Sequence, residues 1–241
     1  MGETEGGSVG SIQIRERLGS SGLYLAEQPA LGRRVVVRKL RRDLLANASL
    51  VAQLEREAQL ASMVSHPNVV GVFDFFSLRG DQYLVMEHVD GLSLDLALRR
   101  AGRIPPDISA LLLEQIARGV EALHDNGIIH SDLRPKNVLL GRWGEVKLCG
   151  LGAAWEVSEG ALAIQRDPTP YSSPELHDQG KLDPSCDVFA LGVLVGEMLT
   201  GEVRERAVCA PVRCEYAHLL YQYGWQPILR RVNFFVRRRR Q

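Results

Sequence analysis

Cysteine is scarce in this sequence, with four in 241 residues. That density excludes a disulfide-stapled scaffold and makes a reducing, cytoplasmic setting the expectation. Long hydrophobic runs are missing as well: the longest strongly apolar stretch, Val188 to Leu199, is broken by Glu197 and is too short to span a bilayer. The first residues join no basic start to an apolar stretch, so no secretory leader is read there. Nor is there an excess of one charge, since 29 basic and 29 acidic residues give a formal net charge of zero. A global pull on nucleic acid is therefore not expected. The balance is uneven only at the end, Arg237-Arg238-Arg239-Arg240. With Phe234 and Phe235 this tail could touch an acidic partner or an anionic membrane surface, but a solvated terminus is the simpler expectation. Cys209, Cys214 and His218 have the spacing C-x4-C-x3-H, yet a zinc site wants a fourth ligand and none is in reach.

What the chain does have is an ordinary globular composition, 45% hydrophobic and 24% charged, at a length that suits one large domain or two lobes around a cleft. Residues 1–11 are rich in Gly, Ser and Glu and are expected to be disordered. From Ile12 to Leu40 short apolar stretches alternate with turn residues, which predicts a strand meander containing "GRRVVVRKL". Leu50 to Val64 has helical spacing, with Leu54, Ala58 and Ala61 on one face. "VVGVFDFFSL" and "DQYLVMEHV" predict a hairpin turning at Arg79-Gly80-Asp81. Helices are expected from Leu92, from Pro106 to Asn126, and over "CDVFALGVLVGEMLTG". Strands with one helix, followed by mainly helices, fit an α+β chain in two lobes.

Between those parts lies "IIHSDLRPKNVLLGRWGEVKLCGLG", residues 128–152. An acid at Asp132 and an amide at Asn137 sit on a loop between apolar runs. "HSDLRPKN" resembles the H-R-D-L-x-x-x-N catalytic loop of protein kinases, of the bacterial serine/threonine type. "SSPE" at 172–175 is similar to the A-P-E signature, "YLVMEHVDG" to the hinge between lobes, and "DVFALGVLVGEMLTG" to the helix that anchors the large lobe. The resemblance runs from about Ile12 to Gly201 and implies a β-rich small lobe and hinge over 12–90 and a helical large lobe over 91–201. Residues 202–241 match nothing in that pattern, so the large lobe reads as cut short.

The resemblance implies ATP and magnesium for an active enzyme, with Asp132 as the acceptor of the substrate hydroxyl proton, Asn137 as a metal ligand and Arg134 near the transferred phosphate. It implies cofactor-binding positions at Gly19, Gly22, Val36, Arg38, Glu57, Glu87, Val89 and Leu139. Several of these depart from the family pattern. The metal acid of D-F-G falls on Gly150, within Gly150-Leu151-Gly152. The strand lysine falls on Arg38, which keeps a charge for Glu57 but not an ammonium's geometry. Lys39 could take its place only through a bulge that shifts the register. Val36 stands where a smaller alanine would pack over adenine, and "LGSSGLYLAE" is a shortened glycine loop equally suited to a hairpin turn. Thr169 lies one place too close to Glu175 to steady Asp132, and Ser158 and Thr169 are the main hydroxyls of the activation segment.

The expectation is therefore a catalytically impaired pseudokinase that binds or regulates a protein partner. A residually active serine/threonine kinase is the alternative. A small-molecule phosphotransferase and a nonfunctional product are less favoured.

Overall fold

The structure, a computed structural model, describes residues 8–19, 22–40, 47–157, 169–179 and 182–203. The zinc-spaced Cys209, Cys214 and His218, Ser158 and the basic tail lie outside the described residues. Six strands form an antiparallel sheet in the order β1-β2-β3-β4-β6-β5: β1 (Ser8–Val9), β2 (Ile12–Leu18), β3 (Leu23–Gln28), β4 (Arg33–Leu40), β5 (Val72–Leu78) and β6 (Asp81–Glu87). Residues 8 and 9 were expected to be disordered. They instead pair with Gln13 and Ile12, because Val9 packs on the apolar cluster of the outer sheet face.

Alternation along β4 sets what each sheet face carries. Val35 and Val37 are fully buried on one face, against Ile12, Ala26, Tyr83 and Val85. Val36 and Arg38 take the other face, since successive strand residues point to opposite sides. The register between β4 and β6 is continuous, with Arg38 opposite Leu84 and Lys39 opposite Tyr83. No bulge brings Lys39 inward. Its ammonium pairs with Asp81 at 3.0 Å on the outer face.

Helix α1 (Ala48–Ser62) covers the inner face, burying Leu54 and Ala58 against Leu40, Leu84 and Met86. Beyond the sheet come β7 (Gly91–Ser93), α2 (Leu94–Ala101) and α3 (Pro106–Asp125). Ser93 caps α2 by accepting the Leu96 N–H at 3.2 Å, and Pro106 opens α3 where its missing donor costs nothing. Next are β8 (Ile128–Ile129), β9 (Val138–Gly141), β10 (Val146–Leu148) and β11 (Trp155–Glu156), then α4 (Pro174–Gln179) and α5 (Ser185–Thr200). Leu113, Ile116, Val120 and Leu123 of α3 meet Ala190, Leu191, Leu194 and Met198 of α5 in the largest core. No helix among the described residues is long and apolar enough to cross a membrane.

The two parts are tied by backbone. Val70 donates to the Leu148 carbonyl at 2.8 Å, and Leu148 donates to that of Asn68 at 2.9 Å. Gly119 of α3 admits this crossing. A Cβ there would lie 2.7 Å from the Asn68 carbonyl oxygen and 2.9 Å from Leu148 Cδ1. Helix propensity alone predicts that Gly119→Ala stabilises by about 1 kcal/mol. The close backbone reverses the sign, and we expect a net loss of about 1–3 kcal/mol. Urea unfolding measures it directly, and a raised midpoint would contradict this packing.

Candidate active site

The loop 130–137 is held from below by an acid on α5. Asp187 is wholly buried and accepts three N–H groups at 2.8 Å: the backbone amides of His130 and Ser131 and the ring Nε2 of His124. Burial works to raise the pKa of Asp187. The His124 hydrogen bond and the nearby imidazoles and amide outweigh it and hold the carboxyl below its ordinary range. Ser131 stands at the arginine position of H-R-D and adopts φ 58°, a costly conformation for a residue with a Cβ. Its hydroxyl donates to the Ala153 carbonyl, so the loop is also fastened to the segment after Gly150. His130 is fully buried, its Nε2 3.1 Å from the Cys149 carbonyl, in keeping with a packing role.

On this base, Asn137 Nδ2 donates to Asp132 twice, to the backbone oxygen at 2.7 Å and to Oδ2 at 2.9 Å. Arg134 Nη1 is 4.0 Å from Asp132 Oδ1. Asp132, Arg134 and Asn137 are thus brought together. With Nδ2 turned to Asp132, Oδ1 of Asn137 lies against Gly150, where an added Cβ would sit 2.6 Å from it. Gly150 has φ 82°, in the left-handed region. Thr169 bonds to Ser172 through its backbone N–H at 3.1 Å and its hydroxyl at 3.0 Å, and has no bond to Asp132. Glu175 is exposed and pairs with no arginine among the described residues.

Above the loop, Arg38 Nη1 donates to Glu57 Oε2, joining β4 to α1. Glu57 is 3% exposed, so it is a buried carboxyl and not a solvated charge on the helix surface. Burial raises its pKa, partly offset by Arg38 and then by His130. Leu151 fills the middle place of the G-L-G triplet and is buried in the main core. Gly152 lies so close to α1 that a Cβ would be 2.7 Å from Gln53 Cγ.

Val36, Val89 and Leu139 do converge, part-buried, on the cluster under α1, together with Leu23 and Cys149. Those last two wall residues were not anticipated, although Leu23 directly follows the glycine turn. Burial first, then the Glu57 charge, pushes the Cys149 thiol up to about 12, so it is a neutral wall and not a thiolate. Glu87 spends its carboxylate elsewhere, on the Gly71 N–H at 3.2 Å and on Lys147 Nζ at 2.9 Å. Gly22 serves the sheet: its carbonyl accepts the Lys39 N–H at 2.8 Å, and a Cβ would lie 2.7 Å from the Lys39 oxygen. Gly19 is exposed on the same short turn, which Leu18 and Leu23 close as a pair.

Part-buried Val36 and the Arg38 cation share this face of β4. The donor set does not fit magnesium, which wants near-octahedral oxygen ligands including a carboxylate or two. Gly150 supplies none, and Asp132 is already hydrogen-bonded to Asn137. Among the described residues no cluster of three or more His, Cys, Asp or Glu side chains could hold a metal.

The model of the protein kinase domain matches residues 18–207. The chain is 37% identical over 208 residues to the serine/threonine-protein kinase pkn2 of Myxococcus xanthus, covering 80% of this chain and 25% of that protein. It is 32% identical over 227 residues to the serine/threonine-protein kinase PrkC of Bacillus subtilis, covering 90% of this chain and 35% of that one. To the serine/threonine-protein kinase PknB of Mycobacterium tuberculosis it is 30% identical over 210 residues, 83% of this chain and 33% of the relative. The matched region therefore spans about a quarter to a third of these relatives' length.

The Arg38–Glu57 pair yields a pH-dependent prediction. A carboxyl whose pKa is raised on folding favours the folded state most at pH below its ordinary range, and that contribution is lost as pH rises through the folded value. Removing Arg38 takes away the main opposing charge and raises that value further. Arg38→Met should cost about 3 kcal/mol near pH 7.5 and distinctly less near pH 5. Urea unfolding at both pH values reads the difference, and an equal loss at both would show that Glu57 is not the buried group responsible.

Proposed function

The chain belongs to the protein kinase family, of the bacterial serine/threonine type, and on that premise we propose that it is a catalytically impaired member working as a binding or regulatory module for a protein partner. One observation carries the reading. The position of the metal-binding acid is Gly150, and the Asn137 carboxamide fills the space that a side chain there would need.

Phosphoryl transfer asks the protein for positioned phosphates, charge neutralisation and an acceptor for the hydroxyl proton. The last of these is present in Asp132, with Arg134 close by. The first is weakened, because "LGSSGLYLAE" is a shortened glycine loop and Gly22 is committed to the sheet. The second lacks its main anionic ligand. Loss of one preorganised electrostatic group typically costs about a hundred- to a thousandfold in rate. Residual activity is the second reading, favoured by the formed Arg38–Glu57 pair and by the Asp132–Asn137 bond.

Transfer of the terminal phosphate from labelled ATP to a generic basic protein substrate, with magnesium or manganese present, separates the two. The expected signal equals that of Asp132→Asn. Wild-type incorporation clearly above that variant would reject the impaired reading and assign Asp132 as the base.

A further inference from the structure

Helix α1 is fastened to more than the sheet. Its Glu57 pairs with Arg38 of β4, while the next residue back, Arg56, lies over the Trp155 ring with its guanidinium carbon 4.6 Å from the ring centroid. One turn earlier, Gln53 meets Gly152, where a Cβ would be 2.7 Å from Gln53 Cγ. Both contacts fall on the stretch 151–157, and that stretch is itself tied down. Trp155 and Glu156 pair with Ile129 and Ile128, Val157 donates to the Gly127 carbonyl at 2.8 Å, and the Ser131 hydroxyl donates to that of Ala153. Trp155 is 8% exposed and packs with Ile129, Leu182 and Cys186, so its ring has a fixed seat. A part-buried guanidinium on a buried indole falls toward the desolvated, stronger end of cation–π contacts.

We infer that Trp155 is a fixed strut for α1: the Arg56 stack holds the helix against the sheet, with the Arg38–Glu57 pair formed, before any ligand or partner binds. Every contact in the device lies within this chain, so nothing has to bind to close it. The strut also reaches the loop that carries Asp132. Ile129, paired with Trp155, is followed directly by His130 and Ser131, whose amides are bonded to Asp187. The helix is thereby held at one fixed place relative to that loop. This goes beyond the impaired-catalysis reading and does not depend on it.

The test is amide hydrogen exchange of the full chain with no ligand added, read by mass spectrometry over α1, α3 and the stretch 151–157. In the wild type α1 should be protected. Arg56→Gln should speed exchange in α1 about five- to thirtyfold, while α3 keeps its protection. In a Trp155→Leu background, which removes the ring, the same change at Arg56 should add less than about twofold, because its partner is already gone. Arg56→Lys, which keeps a cation for the ring, should stay within about threefold of the wild type, and it decides the matter if Trp155→Leu does not fold. Fast exchange of α1 in the wild type, undiminished protection in Arg56→Gln, an equal effect of that change in both backgrounds, or a loss in Arg56→Lys as large as in Arg56→Gln would each overturn the inference. None of these results bears on phosphate transfer, which tests the impaired-catalysis reading separately.

Discussion

The carboxylate of Asp187 is the constraint on which the candidate site depends. It is buried on a mainly apolar helix, where an unpaired charge would cost several kcal/mol. It is satisfied by two consecutive loop amides and one imidazole, all at 2.8 Å. Ser131, whose amide is the second of these donors, then turns at φ 58°, which sets the direction in which the chain leaves the anchor. The strain is offset by those bonds and by the Ser131 hydroxyl on Ala153. Asp132, next in sequence, has its place set by this arrangement without itself holding the loop down.

The upper half of the cleft depends on a second buried acid. Glu57 would be an unpaired charge under the sheet but for Arg38, so helix α1 is drawn to β4 whether or not a ligand is present. Arginine suits this because it stays charged at any relevant pH and can bond a carboxylate while keeping further donors outward. Lys39 cannot take over. The unbroken β4–β6 register sends it to the far face, where Asp81 holds it.

Much of this was legible in the sequence. The meander, the hairpin turning at Arg79-Gly80 and the helices follow from periodicity, because each buries an apolar face that the pattern itself displays. Helix ends shifted by a residue or two, as with α1 at Ala48–Ser62, since capping and tertiary contacts set the last turn. The motif spacing located Asp132, Asn137, Arg38 and Glu57. The anchoring role of Asp187 was missed, although an acid within "CDVFALGVLVGEMLTG" is a signal, because a charge in so apolar a helix must have a partner. The side-chain partners of Glu87, Gly71 and Lys147, were not legible, because they are remote in sequence. Sequence spacing gave no hint that the Asn137 carboxamide would close over Gly150.

The distribution of departures follows structural cost. Gly150 needs only its left-handed backbone, and the missing side chain spares Asn137 a close contact, so losing the carboxylate there destabilises nothing that holds the fold together. The turn at Gly19–Gly22 can shorten because Leu18 and Leu23 still pair across it. Where a residue bears on the fold, the chemistry that packing requires is kept: Leu151 is an apolar filler inside the main core, Arg38 remains a cation opposite buried Glu57, and Asp187 remains an acid beneath the loop. On the proposed reading, a chain under such constraints loses its means of holding a metal while keeping the shape that surrounded it. Asp132 and Asn137 then need no catalytic reason to persist as a pair, since the Asn137 amide also bonds the Asp132 backbone and closes the loop between them.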